Sequence, residues 1–242
     1  MELYIIRHGQ STNNALEDET QREVDAPLTD LGKQQAELLA AYLADGHNRD
    51  RWVNPATGYS RPDDDKGFGV THLYCSAMYR SLQTTQPIAR ALGLRPEVWI
   101  DIHEHGGIYL EQPDGIVGFP GKTRSEIMSE FPDYALPDAI SDNGWWKQEI
   151  GQESLAMAQG RAIKVAGELR RRADSGEGIA IVSHGTFIDA LLKALFNQLP
   201  SRQFYYLHYN TAITRIDFSG DRDRLLVRYV NRTAHLPNDL VS

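Results

Sequence analysis

Two segments of the chain share one pattern, in which an apolar run leads directly into a His-Gly pair. The first segment reads YIIRHGQSTN and places Arg7 and His8 after the run, and the second reads AIVSHGTFIDALL and places His184 there. Short apolar runs rich in β-branched residues are typical of buried strands. In open α/β sheets, ligands bind at the carboxyl ends of the strands. The pattern therefore predicts two histidines that face each other at one edge of a sheet.

The remaining segments alternate between strands and helices. We predict strands at LYIIR, THLYCS, EVWIDI, GIAIVS, TAITRIDF and RLLVRYV. Helices are predicted at LTDLGKQQAELLAAYLADG, MYRSLQTTQPIARALGL, TRSEIMSEF, residues 153–173 and HGTFIDALLKALFNQL. Arg170–Arg172 end the fourth of these helices, and we interpret them as its solvated terminus. Alternation with strongly apolar strands predicts a largely parallel sheet that is covered by helices on both faces.

Residues 47–70 show no hydrophobic period and are rich in Asp, Asn, Gly and Pro. Loops of that length are uncommon in compact domains unless they have a function, so we predict an inserted loop or flap. Its aromatic residues are Trp52, Tyr59 and Phe68. They could stack on a substrate, but we expect them to pin the loop to the surface of the protein.

The composition is that of an ordinary globular domain. Of the 242 residues, 41% are hydrophobic and 24% are charged, and the formal net charge of −8 argues against a protein that coats nucleic acid. The single cysteine, Cys75, allows no internal disulfide, and no apolar run approaches the roughly 18 residues of a membrane span. We therefore expect a cytoplasmic protein without nucleic-acid or membrane partners, and we leave its oligomeric state open, a homodimer included. Because the chain shows no repeat or linker, we predict one domain over residues 1–242, with a substrate cap at about residues 105–150.

Functional groups also follow two further predicted strands. Ser76 and Arg80 come after THLYC, and Glu104 comes just past WIDI. Each of these residues has an ordinary structural explanation when it is taken alone, as a cap, a solvated side chain or a loop carboxylate. Because all of them lie at strand exits, as the two histidines do, we predict that they share one pocket.

Taken in order, several motifs make the chain resemble the histidine phosphatase superfamily, in the branch that contains the cofactor-dependent phosphoglycerate mutases. The motifs are RHGQSTNN, LTDLGKQQA, CSAMYRSLQTT, GQESLAMAQGR, SHG and NTAITRI. The resemblance runs from residue 3 to about residue 218. It implies a three-layer α/β/α sandwich with a mostly parallel mixed sheet, and it implies neither a metal nor another cofactor.

The resemblance also implies a phosphohistidine mechanism. His8 would be the nucleophile, since a neutral imidazole is nucleophilic near neutral pH and a phosphoryl group on its nitrogen stays labile. Arg7 and Arg80 would bind the phosphoryl oxygens, because a guanidinium group can bind two oxygens at once and stays charged. Asn14 and His184 match further phosphate contacts of the family, and phosphoryl transfer depends on such preorganised donors.

Glu104 matches the general acid of the family, which gives a proton to the leaving alkoxide. Asp101 and Glu111 are weaker alternatives, because Asp101 lies within a predicted strand and Glu111 lies further into the following loop. His103 and His105 flank Glu104, and residues two apart in an extended segment point to the same side, as in a zinc site. Their spacing is not that of a known zinc signature, so we expect them to line the pocket or to face solvent.

The chain departs from the mutases in the region that would bind the carboxylate of a phosphoglycerate. The family mutases carry there a tyrosine-containing stretch, a Gly-x-Asn-Lys-Ala-Glu segment and a pair of adjacent arginines. Tyr109 and Arg124 loosely match the first two features, but the arginine pair is absent. We therefore predict a phosphomonoester hydrolase for a small phosphorylated metabolite, with Gln10, Tyr109 and Arg124 as substrate contacts. A phosphoglycerate mutase and an inactive protein that binds a phosphate or a phosphopeptide are the alternatives.

Overall fold

The computed structural model describes residues 1–45, 68–219 and 224–242. The strands in these ranges are β1 (Glu2–Arg7), β2 (His72–Cys75), β3 (Glu97–Val98), β4 (Tyr109–Gln112), β5 (Gly115–Gly118), β6 (Gly178–Ser183), β7 (Ile213–Ser219) and β8 (Arg224–Arg232). The helices are α1 (Asp30–Asp45), α2 (Tyr79–Leu92), α3 (Arg124–Glu130), α4 (Leu155–Arg171) and α5 (Gly185–Leu195). Strands β4 and β5 pair as a separate hairpin, and the other strands form one central sheet.

The central sheet is mixed and mostly parallel. Its strand order is β3-β2-β6-β1-β7-β8, with parallel pairing from β3 to β1 and antiparallel pairing from β1 to β8. The register of β1 against β6 places Arg7 opposite Ser183. The next residues along each strand, His8 and His184, therefore leave the same edge of the sheet side by side.

Helices cover both faces of the sheet because the side chains of β1 and β6 alternate between two apolar cores. Tyr4 and Val182 point into the core beneath α1 and α2, whereas Ile5 and Ile181 point into the core beneath α4 and α5. This arrangement confirms the predicted three-layer α/β/α class. Within the described ranges, no helix is long and apolar enough to cross a membrane.

One predicted strand near the site is wrong. The segment EVWIDI is extended only over Glu97–Val98, and Ile100–Ile102 form a 3-10 turn. Arg161 of α4 donates to the carbonyl oxygens of Asp101 at 2.7 Å and of His103 at 2.8 Å. These carbonyl groups therefore face a helix instead of continuing the hydrogen bonds of the sheet.

Two further predictions need correction. The segment around Glu111, predicted as a loop, is the hairpin of β4 and β5, whose side chains are mostly exposed and so lack an apolar pattern. The arginines at the end of α4 are not simply solvated. Arg170 donates to Leu195 O at 2.6 Å, and Arg172 binds Glu177 at 2.8 Å. These contacts tie the end of α4 to α5 and to the start of β6.

Residues 47–67 of the predicted insertion lie outside the described ranges, and Phe68 is the first described residue after them. Its side chain is buried, and its ring packs edge-on against Tyr4 and Tyr42, with centroids 5.4 and 5.0 Å apart. Phe68 therefore packs into the core beneath α1 and α2, and its anchoring of the inserted loop stays a prediction. Trp52 and Tyr59 lie outside the described residues.

The loop after β1 and the start of α1 approach each other so closely that both need glycine. A Cβ atom on Gly9 would collide with the carbonyl group of Gly32, and one on Gly32 would collide with the backbone of Gln10. Gln10 is also bonded to α1, because its carbonyl oxygen accepts from Thr29 N and its N–H donates to Gln35 Oε1, both at 2.9 Å. The start of α1 therefore positions the loop that follows β1.

We expect Gly32→Ala to destabilise the protein, although alanine is the better helix former. In an open helical position this change stabilises by roughly 0.5–1 kcal/mol, but here the new methyl group must displace backbone, at a cost of about 1–3 kcal/mol. Gly160→Ala in α4 is the matched control, because nothing lies within 4 Å of its added Cβ. Urea unfolding should show a loss of stability for Gly32→Ala and a gain for Gly160→Ala. Equal gains for both variants would contradict the close approach.

Candidate active site

His8 presents one ring nitrogen to the pocket as an acceptor. Its Nδ1 lies 2.6 Å from the carbonyl oxygen of Gly9. Because a carbonyl oxygen can only accept, Nδ1 carries the proton and Nε2 keeps its lone pair. Arg80 Nε donates to this Nε2 at 3.1 Å, and the backbone N–H of His8 donates to Ser183 O at 2.9 Å. Nε2 is therefore the ring atom available to act as a nucleophile.

His184 lies against His8, with ring centroids 4.9 Å apart. It is fully buried, and its Nε2 pairs with Ser76 Oγ at 2.7 Å. Ser76 Oγ also accepts from Met78 N at 3.1 Å, and within the described residues Nε2 of His184 is the one acceptor in reach of the Ser76 hydroxyl proton, so we assign the imidazole proton to Nδ1. Nδ1 is buried and has no hydrogen-bond partner among the described residues. A buried polar atom of this kind costs free energy unless a ligand satisfies it.

Arg7 is held by a loop that sequence reasoning missed. Its Nη1 donates to His208 O at 2.6 Å. The His208 ring orders this loop, because its Nδ1 pairs with Tyr206 O at 3.0 Å and its Nε2 pairs with Thr214 Oγ1 at 2.6 Å. The Nε of Arg7 is buried without a partner in the described part of the chain. One edge of the guanidinium group is thus anchored, and Nε is left for an anion.

Arg80 lies in the first turn of α2, and its charge is balanced by Asp25, a residue that sequence reasoning also missed. Asp25 Oδ1 accepts from Tyr79 N at 2.9 Å, and its Oδ2 is buried without a hydrogen-bond partner in the described ranges. Burial raises the pKa of Asp25 to about 6, while the charge of Arg80 opposes this rise. Burial likewise lowers the pKa of Arg80, and the charge of Asp25 opposes that change. The two side chains therefore stabilise each other's charged form.

Glu104 is bound to the N-terminus of α5. Its Oε1 accepts from His105 N at 2.8 Å and from Phe187 N at 2.9 Å, and its Oε2 accepts from Thr186 N at 3.2 Å. The unpaired N–H groups of a helix N-terminus favour an acidic group. Because α5 begins directly after His184, one helix end holds both the second histidine and the predicted acid.

A buried ion pair fixes the backbone on which Glu104 lies. Arg161 binds both carboxylate oxygens of Glu153, at 3.0 and 2.7 Å, and the side chains are only 9% and 4% exposed. The same guanidinium group donates to the carbonyl groups of Asp101 and His103. Bidentate geometry and burial make such a pair rigid. The motif GQESLAMAQGR thus supplies the clamp that positions the predicted acid.

The two alternative acids are directed elsewhere. Asp101 Oδ2 binds Lys164 at 2.6 Å on the outer side of α4. Glu111 lies exposed on β4. Neither carboxylate is tied to the helix end that follows His184, so the geometry favours Glu104.

His103 packs in the interior beside the site. Its ring lies 5.4 Å from the ring of Trp145 and 5.2 Å from that of Trp146, and its Nδ1 pairs with Glu104 O at 2.8 Å. Burial lowers the pKa of His103 to about 3, and the charge of Arg161 adds to the effect. Within the described residues, no group of three His, Cys, Asp or Glu side chains is placed to hold a metal ion.

Asn14 lies in a 3-10 turn next to the pocket. Its Oδ1 accepts from Ser11 N at 3.2 Å and from Asn210 Nδ2 at 3.4 Å. The amide nitrogen of Asn14 is therefore the group that can donate to an anion. Asn210, another residue that sequence reasoning missed, also donates to His8 O at 2.9 Å. Phosphate binding by Asn14 stays a prediction.

Two of the three predicted substrate contacts are engaged by groups of the protein. Gln10 Oε1 accepts from Thr29 Oγ1 at 2.8 Å. Arg124 donates to the carbonyl oxygens of residues 136 and 137, at 3.3 and 3.5 Å. Tyr109 begins β4 and is partly exposed. Their contacts with substrate stay predictions.

The pocket combines neutral histidines with fixed cations. Burial lowers the pKa values of His8 and His184 well below 6.5, and the charge of Arg80 adds to both effects. Both rings are therefore neutral near pH 7, and the nucleophilic lone pair of His8 is retained. A bound anion would raise the pKa of His184 and strengthen its donation. The arrangement is suited to bind and attack a phosphoryl group.

Comparison with known proteins identifies the family. The sequence profile of the histidine phosphatase superfamily (branch 1) matches residues 3–56 and 64–231. The chain belongs to this superfamily. A probable phosphoglycerate mutase GpmB of Yersinia enterocolitica is 24% identical over 248 aligned positions, which cover 98% of this chain and 95% of that protein. The corresponding protein of Yersinia pestis is 25% identical over 242 positions.

Solved structures of the histidine phosphatase fold superimpose on this member over nearly its whole length. Phosphoserine phosphatase from Entamoeba histolytica, in complex with 3-phosphoglyceric acid, has a TM-score of 0.59 at 20% identity, with 98% of this chain and 99% of that chain covered. Mycobacterial glucosyl-3-phosphoglycerate phosphatase, in complex with VO3, has a TM-score of 0.56 at 19% identity, with 96% and 99% covered. These similarities confirm the predicted fold.

In this histidine phosphatase superfamily member, we expect Asp25→Asn to increase stability and decrease turnover at pH 8. The pKa of Asp25, about 6, lies above its ordinary value of 3.8, so ionisation of the buried carboxyl group penalises the folded state at high pH. Asparagine removes the charge, and the free energy of unfolding should rise by roughly 1–3 kcal/mol at pH 8. Turnover should fall by about tenfold, because Arg80 loses its charged partner and the site depends on preorganised donors.

The stability gain should shrink as the pH falls from 8 through 6 toward 4, because the wild-type carboxyl group then becomes neutral in the folded state. Urea unfolding across this range measures the gain. Asp114→Asn, in the exposed turn of the β4–β5 hairpin, is the control. A gain that does not change with pH would contradict the raised pKa of Asp25.

Proposed function

We propose that this protein is a phosphomonoesterase that acts on a small phosphorylated metabolite through a phosphohistidine intermediate. The observation that carries the proposal is the environment of His8 Nε2, which keeps its lone pair beside Arg80 and within ring contact of His184. A phosphate dianion matches this set of donors, because guanidinium and imidazole N–H groups bind phosphoryl oxygens. Membership of the histidine phosphatase superfamily supports the same reading.

The reaction proceeds in two displacements. His8 Nε2 attacks phosphorus, an N–P bond forms, and the P–O bond to the leaving alcohol breaks. Glu104 gives its proton to the departing alkoxide, and the resulting carboxylate then accepts a proton from the water that attacks the phosphohistidine. Inorganic phosphate leaves, and His8 and Glu104 return to their initial forms. Arg7, Arg80, Asn14 and His184 hold the phosphoryl oxygens throughout.

The cap region favours water over a phosphoglycerate as the final acceptor. A mutase must bind the glycerate carboxylate beside the phosphate, which calls for a cation with free donors. Lys122 lies 3.7 Å from Glu130 and 4.0 Å from the centre of the Tyr79 ring. Arg124 donates to two backbone carbonyl groups. Lys122 and Arg124 are thus each held by groups of the protein, and the third cap cation, Lys147, is exposed.

A cofactor-dependent phosphoglycerate mutase is the second candidate, because the relatives from Yersinia carry that name. An inactive protein that binds a phosphate or a phosphopeptide is supported less, since the nucleophile, the donors and the acid all lie at one sheet edge. Phosphate release from sugar phosphates, phosphoglycerates, nucleotides and phosphopeptides tests the proposal, beside a mutase assay primed with 2,3-bisphosphoglycerate. Efficient interconversion of 3- and 2-phosphoglycerate would overturn it in favour of the mutase. No turnover of any phosphoester would favour the binding protein.

His8→Ala should lower phosphate release from p-nitrophenyl phosphate by at least about a thousandfold, because the nucleophile is lost. Rapid acid-free quenching followed by intact-mass spectrometry should detect a phosphorylated wild-type protein and no phosphorylated variant. His72→Ala, at the start of β2 on the opposite edge of the sheet, is the control and should behave as the wild type. A phosphorylated His8→Ala protein that turns over normally would rule out His8 as the nucleophile.

Glu104→Gln should slow the hydrolysis of alkyl phosphates far more than the hydrolysis of p-nitrophenyl phosphate. An alkoxide needs a proton to leave, so kcat/KM for alkyl phosphates should fall by about 10²–10⁴-fold. Nitrophenolate leaves without a proton, so kcat/KM for p-nitrophenyl phosphate should fall by less than about tenfold. Glu111→Gln, exposed on β4, is the matched control. The ratio of kcat/KM for the two substrate types measures the effect. An equal loss for both types would assign Glu104 a role other than proton donor.

A further inference from the structure

A groove between α4 and α5 opens next to the predicted active site. We call it the α4–α5 groove, and its cavity volume is about 370 Å³. That volume lies in the usual range of small-molecule sites. Its apolar walls come from α4, from α5 and from the segment that follows α5: Leu155, Ile163, Ala190, Ala194, Pro200 and Tyr205.

One end of the groove is formed by two residues that bind the predicted proton donor through their backbone. His105 and Thr186 line this end. Their backbone N–H groups are the ones that donate to Glu104, at 2.8 Å to Oε1 and 3.2 Å to Oε2. Tyr205 completes the wall, with its hydroxyl 3.4 Å from Thr186 Oγ1. This end of the groove is therefore the neighbouring cavity for an alcohol that takes a proton from Glu104.

The groove is elongated along α5. Its lining on this helix extends from Thr186 past Ala190 to Ala194. At about 1.5 Å per residue, this stretch is roughly 12 Å long. The walls along it carry methyl and methylene groups from both helices, so the shape suits a chain more than a compact sugar.

Two charged residues in the wall, Asp189 and Lys193, are neutralised by each other and by the backbone, whereas Arg202 is an exposed cation at the groove. Lys193 Nζ donates to Asp189 Oδ2 at 2.7 Å, to Ser201 O at 2.6 Å and to Phe204 O at 2.9 Å, which uses all three ammonium protons. The other oxygen of Asp189 accepts from Tyr206 N at 3.0 Å. These bonds hold the segment after α5 against the groove and leave no free cation of Lys193 for a ligand.

We propose that the α4–α5 groove binds the leaving group of the substrate and that this leaving group is an elongated, largely apolar alcohol. The assignment rests on the proposed function, because it takes Glu104 as the acid that protonates this alcohol. The phosphoryl group lies at His8, and the chain follows α5 away from it. Apolar contact along the groove then contributes binding energy, since each buried methylene stabilises the complex by about 0.8 kcal/mol.

Binding of n-alkylphosphonates from ethyl to octyl tests the proposal by calorimetry. These probes carry the phosphoryl group and a chain but cannot be hydrolysed. For the wild type, Kd should fall by about fourfold per added methylene until the chain reaches the end of the groove, which is the conversion of the same 0.8 kcal/mol. A Kd that does not change with chain length would overturn the proposal.

Ala194→Phe fills the far end of the groove. It should weaken the binding of octylphosphonate by more than tenfold and leave the affinity for ethylphosphonate unchanged. Ala41→Phe is the matched control, because Ala41 is exposed on α1 in the other helical layer. Ile163→Ser removes an apolar contact at a position that is 61% exposed, so folding is not at risk, and it should weaken octylphosphonate by a few-fold. An unaltered chain-length dependence in both Ala194→Phe and Ile163→Ser would show that the chain binds elsewhere.

Turnover of p-nitrophenyl phosphate separates this proposal from the proposed function. Hydrolysis together with flat phosphonate affinities would leave a phosphatase whose groove does not bind the leaving group. Chain-dependent affinities without hydrolysis of any phosphoester would retain the apolar groove and refute its assignment to a leaving group.

Discussion

The parallel pairing of β1 with β6 is the constraint on which the site depends. Arg7 lies opposite Ser183, and the next backbone N–H, that of His8, donates to Ser183 O at 2.9 Å. This register brings the rings of His8 and His184 to a centroid distance of 4.9 Å. Because α5 starts directly after His184, its N-terminus comes to the same edge and binds Glu104. A slip of one residue would turn every side chain of β1 to the opposite face and separate these groups.

The charged and neutral groups at this edge of the sheet together form a site that favours an anion. Burial keeps His8 and His184 neutral, as their lowered pKa values indicate. Arg7 and Arg80 supply the positive charge, and Asp25 balances Arg80 while bonded to the N-terminus of α2. Donors that are fixed before the substrate arrives need little reorganisation during phosphoryl transfer. The same principle applies to Glu104, whose backbone is held by the buried ion pair between Arg161 of α4 and Glu153, just before that helix.

The parts of the fold that sequence reasoning predicted are those with strong local patterns. Buried strands such as β6 are recognisable as apolar runs in the sequence. The position of the residues that follow them, at the end of a strand, is therefore predicted as well. The hairpin of β4 and β5 was not predicted, because its exposed strands show no alternation of apolar and polar residues. The 3-10 turn at Ile100–Ile102 depends on Arg161, far along the chain. Asp25 and His208 act only through tertiary contacts with Arg80 and Arg7, so no local pattern marks them.

A crystal structure with orthovanadate is the measurement that tests the central claim most directly, because five-coordinate vanadate resembles the transition state of phosphoryl transfer. We predict a bond between vanadium and His8 Nε2, with Arg7, Arg80 and His184 Nδ1 on the equatorial oxygens. The apical oxygen opposite His8 should lie toward Glu104. Vanadate bound at another place, or held in the pocket without a bond to His8, would contradict a phosphohistidine mechanism.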